Sequence, residues 1–285
     1  MDLIGDSYLN ALIPDAVVGK DYPHSKHHSH HWDCLVGAEE GTSLSEDAMK
    51  AKALVAISGM FDPPLAISAK GGVWFDDQFG GEKIQNGVGK GGKFREVQDA
   101  TKNHYAGLIC ANNNDNIWYS SGEFNAELHL RNFLHSVREF FRRYKILIIC
   151  SILPREKDYL NDRRGERNKK KFNQLLLSAA TSGHLTAKLT GKSSANGSLL
   201  CKGHAYVYDA GEVVPATTSR EHRRAWYCKE EWRRYYDENN EPRRCNPPPN
   251  PPVHYNARTM FQIVTGMVRL LKERKRKLHK KKHQS

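Results

Sequence analysis

No stretch of this 285-residue chain comes near the roughly 18–20 consecutive apolar residues that a membrane-spanning helix needs. The N-terminus lacks a basic-then-apolar leader: Met1 and Asp2 run straight into LIGDS. So little precedes that first apolar run that the chain reads as a piece of something longer. Cysteine is sparse, and its six copies (34, 110, 150, 201, 228 and 245) include no Cys-x-x-Cys pair. That spacing gives no support to a disulfide framework and points to a reduced, intracellular protein. Internal repeats are absent. Acidic residues are in deficit, with 32 Asp and Glu against 44 Lys and Arg, for a net charge of +12. An imbalance of this sign favours a polyanionic partner, either nucleic acid or an anionic membrane surface.

What is present is enough for one large core. Hydrophobic residues make up 39% of the chain and charged ones 27%, which suits a water-soluble domain. DLIG is a short apolar run ending at Gly5-Asp6-Ser7, and YLNALIPD after it reads as a short helix stopped near Pro14. ALVAIS (53–58) reads as a second buried strand. Residues 71–118, rich in Gly and Asn, read as loop-dominated. Leu130, Phe133, Leu134, Val137, Phe140 and Phe141 recur at helical spacing, and KILIICSILP follows as a continuous, β-branched buried strand. A helix is expected over DRRGERNKKKFNQLLLSAA, a strand at HAYVYDAGEVV, and a last helix whose apolar face is Met260, Ile263, Val264, Met267, Leu270 and Leu271. Alternating strands and helices predict an α/β fold with a mainly parallel sheet. Residues 1–271 are expected to form the domain and 272–285 a basic C-terminal tail.

In such sheets ligands gather outside the carboxyl ends of the strands. Three segments point there: Ser7, Gly59–Asp62, and Pro154–Arg155. A serine at a strand-to-helix turn can sit at a helix N-terminus, where backbone donors would stabilise an oxyanion. GKGGK (89–93) and TGKSS (190–194) lack the spacing of phosphate loops and read as ordinary loops. The histidine cluster in HSKHHSHHWDC (24–34) reads as a weakly basic loop rather than a metal site. No metal or cofactor is expected.

GDS (5–7), ISGMFD (57–62), ICSILPR (149–155) and PPVHYN (251–256) occur in an order that resembles the SGNH hydrolases, or GDSL-type esterases. The resemblance implies a flavodoxin-like three-layer sandwich, with Ser7 as the nucleophile and His254 as the base. Two departures stand against turnover. The position three before the histidine is Pro251, so the usual aspartate is missing, a loss worth roughly 10⁴ in turnover in a comparable triad. Phe61 replaces an oxyanion-hole asparagine worth roughly 10²–10³. Ser7 and His254 therefore read as vestigial, in a pseudoenzyme that needs no small-molecule substrate. An active esterase using Ser7 and His254, with Asn250 or another side chain orienting the histidine, is the alternative.

A basic SGNH-like chain with a degenerate site resembles the OSK-domain family, named for the insect germ-plasm organiser Oskar. LIGDSYLNALIPDAVVG, ISGMFD and HYNARTM carry that likeness. It implies a non-catalytic domain that binds messenger RNA, including untranslated regions, in cytoplasmic germ granules alongside other granule proteins, without entering a membrane. The residues point to RNA as well. Arg131, Arg138 and Arg142 recur along one helix with His135, and Arg163 and Arg164 open a second basic block. Arg223, Arg224, Arg233 and Arg234 interleave with Trp226, Tyr227, Trp232, Tyr235 and Tyr236, a pattern suited to phosphates and stacked bases. Arg258 lies beside the old catalytic mouth.

Overall fold

The computed structural model describes residues 1–5, 7–12, 66–69, 106–110, 125–141, 144–156, 159, 163–182, 204–215 and 218–282. Among the described residues five strands, β1 (Asp2–Gly5), β2 (Ala66–Ala69), β3 (Ala106–Cys110), β4 (Ile146–Cys150) and β5 (His204–Tyr208), form one sheet in the order β2-β1-β3-β4-β5. Every pairing is parallel. This is the flavodoxin-like, doubly wound order. Among the described residues the sheet is accompanied by the helices α1 (Ala126–Phe141), α2 (Arg163–Thr181), α3 (Arg220–Arg224), α4 (Lys229–Tyr235) and α5 (Ala257–Lys282). Among the described residues no helix is long and apolar enough to cross a membrane.

The period-2 alternation of a strand sorts the core into two layers. Ile146 and Ile148 of β4 face α5, where Met260, Ile263, Val264, Met267 and Leu271 join Leu3, Tyr8 and Leu9. Leu147 and Ile149 face the other way, onto Phe133 and Val137 of α1 and Phe172 and Leu176 of α2. All five residues of β4 are buried, which is why its sequence is apolar without interruption. Asn125 caps α1 by accepting from the Leu128 N–H at 2.9 Å, and Asn256 caps α5 by accepting from the Thr259 N–H at 2.9 Å.

Two glycines mark close approaches. A Cβ on Gly5 would lie 2.3 Å from the Cys110 carbonyl oxygen and 2.4 Å from Leu9 Cδ1, so only glycine lets β1 turn into the following 3-10 helix, Ser7–Leu12, at this spot. A Cβ on Gly266 would lie 2.2 Å from Tyr208 Oη, so α5 meets β5 there without room for a side chain.

Several expectations need correction. The 71–118 stretch, read as loop-dominated with no strand named in it, contains β3; its run AGLIC is short, but all five residues are buried beside β1 and β4. Ala66–Ala69 is a strand absent from the expected elements, whereas ALVAIS (53–58) lies outside the described residues. The expected boundary between domain and tail at 271/272 falls inside α5, which continues unbroken to Lys282. Leu278 packs on the core, and the Arg274 guanidinium sits 4.9 Å from the Tyr206 ring centroid on edge strand β5. Lysine and arginine are good helix formers, so a basic composition does not end a helix whose far turns still have a surface to dock on.

Candidate active site

The strand order reverses between β1 and β3, and in such sheets the crevice outside their carboxyl ends is where ligands sit. Ser7 opens the 3-10 helix that leaves β1 at this end. The Tyr8 ring that follows lies 5.9 Å from the His254 ring and 5.5 Å from the Tyr255 ring, centroid to centroid. The turn carrying Ser7 is thus packed against the segment carrying His254, although the two are almost 250 positions apart in sequence.

His254 is held by its neighbours on both sides. Its carbonyl accepts from the Cys228 N–H at 2.9 Å, and the Asn256 N–H donates to the Trp226 carbonyl at 2.8 Å, giving an antiparallel bridge between Tyr227 and Tyr255. Tyr255 Oη donates to the Pro154 carbonyl at 2.5 Å, tying the segment to the loop after β4. Asn256 Nδ2 adds a 2.7 Å bond to the Ala225 carbonyl.

The same pairing brings α4 alongside and delivers a carboxylate. Glu231 Oε1 lies 2.6 Å from His254 Nδ1. Its other oxygen, Oε2, accepts from the backbone N–H groups of Val253 at 2.8 Å and His254 at 2.9 Å. Burial works to raise the pKa of Glu231. The hydrogen bond and charge of His254, together with the two backbone N–H groups, outweigh burial and hold the carboxyl at about 2. At neutral pH the group is a carboxylate, which can only accept, so the contact requires a proton on Nδ1. A serine hydrolase requires this state of its histidine.

The family pattern places the orienting acid three residues before His254, where this chain has Pro251. The structure brings Glu231 from 23 positions upstream. Asn250, the other candidate, is exposed. No local motif links residues 231 and 254; their partnership exists only because Trp226–Cys228 pairs with His254–Asn256. Phe61 and the rest of ISGMFD lie outside the described residues, as do the histidine cluster, GKGGK and TGKSS. Among the described residues no group of three or more His, Cys, Asp or Glu could hold a metal ion.

The expected RNA-facing set divides. Arg131, Arg224, Arg233, Arg234 and Arg258 are exposed. Arg138 lies on α1, Arg163 and Arg164 open α2, and Arg142 falls outside the described residues. Arg223 is corrected: it is 7% exposed and both its Nε and Nη2 donate to the buried Glu156 carboxylate at 2.8 Å. The aromatics are corrected too. Tyr227, Trp232 and Tyr236 are buried against one another, with ring centroids 5.9 and 4.3 Å apart, so their faces fill the core and are not open to bases. Trp226 and Tyr235 are half-buried at its rim.

No family model, curated protein or solved structure matches the chain.

Proposed function

We propose that this chain is a serine hydrolase acting on an ester or related acyl bond, with Ser7 as nucleophile, His254 as general base and Glu231 as the residue that orients the histidine. One observation carries the reading: the Glu231 carboxylate, clamped by two backbone N–H groups, sits on His254 Nδ1 beside the turn that begins at Ser7. In the reaction, His254 Nε2 takes the Ser7 hydroxyl proton as the oxygen attacks the substrate carbonyl. The imidazolium, stabilised by Glu231, then returns that proton to the leaving alcohol. Water repeats the sequence on the acyl-serine, releasing the acid and restoring the serine. Phe61 in place of the oxyanion asparagine makes this a slow enzyme, reduced by roughly 10²–10³ relative to one with that donor.

The test is labelling of the purified chain by a fluorophosphonate and hydrolysis of short-chain nitrophenyl esters. Wild type should label and turn over slowly, and Ser7→Ala should do neither. A wild-type chain that takes no label over hours would remove the hydrolase reading.

A second reading rests on a separate surface. From Arg269 to Lys282, α5 carries a dense run of cations and one acid, Glu273, which is paired with Lys277 at 2.6 Å. This run favours RNA as a partner, which the family likeness makes messenger RNA in a cytoplasmic granule; Arg131, Arg224, Arg233, Arg234 and Arg258 add exposed cations elsewhere on the molecule. A working triad and an RNA surface do not compete for residues: Ser7, His254 and Glu231 are none of these cations.

A further inference from the structure

We propose that Glu156, Arg223 and Tyr236 form a positioning lock that sets the His254–Glu231 geometry, an inference that rests on the hydrolase reading. Glu156 is fully buried, six residues beyond the end of β4. Arg223 holds it in a two-pronged grip, Nε to Oε2 and Nη2 to Oε1, each at 2.8 Å. Tyr236 Oη donates to the same Oε1 at 2.5 Å. Arg223 is fixed in turn by the Thr218 carbonyl at 2.6 Å and by the Tyr159 ring, 4.3 Å from its guanidinium carbon.

What distinguishes this cluster from an ordinary buried ion pair is what it is attached to. The Glu156 N–H donates to the Pro252 carbonyl at 3.3 Å, and the next two residues, Val253 and His254, present their N–H groups to Glu231. Tyr236 caps the C-terminal end of α4, the seven-residue helix that carries Glu231. One residue therefore bonds to both segments that carry the candidate dyad, by its N–H to the stretch two residues before His254 and by its carboxylate to the end of the helix that carries Glu231. The loop leading to Glu156 is itself pinned: Ile152 exchanges two hydrogen bonds with the Asn173 side chain of α2, at 2.8 and 3.0 Å. Position is thereby transmitted from the rigid β4–α2 layer to the dyad. A buried charged pair is weak evidence for stability, since well-packed apolar residues can replace such pairs without loss. Its worth here is directional.

Small displacements of a catalytic group, of order 1 Å, cost about 10²-fold in rate. The mild variant Tyr236→Phe and the stronger Glu156→Gln should therefore lower kcat by about 10- to 100-fold with KM little changed. The second readout does not depend on turnover. In the full chain the Nδ1 proton of His254, held against Glu231, should give a low-field proton NMR resonance that vanishes in Glu231→Gln. It should shift or broaden in Tyr236→Phe and Glu156→Gln well below their melting temperatures. Glu273→Gln breaks the exposed 2.6 Å pair with Lys277 far along α5 and should leave both readouts unchanged. If Glu156→Gln fails to fold, Tyr236→Phe decides. An unmoved resonance in a folded Tyr236→Phe, whatever its melting temperature, overturns the lock and leaves a merely structural ion pair. A wild-type chain without hydrolase activity sinks the hydrolase reading instead, and the resonance still decides whether the lock sets the pair.

Discussion

At the scale of single residues, the candidate site was legible in part. Ser7 follows an apolar run and a glycine that nothing else could replace at that spot, and His254 precedes a helix start marked by Asn256. Both are local signals. Glu231 has none: it lies in KEEWRR, where a charge-paired surface helix reads identically, and its role depends on a non-local backbone pairing. Its environment gives a pH test. The folded-state pKa is held at about 2 against an ordinary value of 4.5. A depressed carboxyl contributes stability that is complete above about pH 4.5 and lost as pH falls towards 2. With the side chain 28% exposed, that contribution is about 2 kcal/mol. Glu231→Gln should therefore lower the melting temperature at pH 7, and the gap from wild type should close progressively between pH 4.5 and 2. Thermal melts of both proteins across that range check it; a constant gap would mean that the carboxylate contributes nothing through its charge.

At the scale of elements, segments with a clear apolar pattern were readable, the short β1 and β5 among them, and β2 and β3 were not. α1 and β4 carry uninterrupted apolar patterns, and their places in the chain match expectation. β3, five residues with a glycine inside and Asn-rich sequence beyond, is a strand because its neighbours bury it, which no local propensity records. The packing of α1 on α2 contains a titration switch of its own. His129 of α1 stands edge-on to Phe172 of α2 at 5.3 Å, and burial lowers its pKa from 6.5 to about 4. The unfolded chain binds this proton near pH 6.5 and the folded chain only near pH 4. Stability from this group is therefore present above about pH 6.5 and lost as pH falls through that window. His129→Leu should remove this slope. Urea titrations between pH 7 and 4 should show the wild type weakening by about 1–3 kcal/mol more than the variant. Parallel curves would show that His129 is solvated in solution.

At the scale of the whole molecule, fold class was the most legible property, because alternating strands and helices restrict the chain to few arrangements. The distribution of charge was less so. The basic C-terminus read as a tail, yet its cations are ordered on a helix that docks along edge strand β5. Lys272, Arg276 and Lys280 fall at successive i, i+4 positions, all exposed, where like charges cost a few tenths of a kcal/mol per pair. A phosphate chain laid along that row would relieve the repulsion and release counterions. Cutting the chain after Leu271 would be an ambiguous test, since it also removes the Arg274–Tyr206 and Leu278 packing. Charge reversal of Lys272, Arg276 and Lys280 leaves that packing in place. If α5 tracks a single-stranded RNA, the triple variant should bind more weakly to every sequence tried. The slope of log affinity against log salt should also fall by about 0.7 for each phosphate no longer neutralised, some 2 units in all. Fluorescence anisotropy on an unstructured oligonucleotide from low to moderate salt measures both. An unchanged slope would take α5 out of the RNA surface and leave the exposed arginines of α1, α3 and α4 as its remaining candidates.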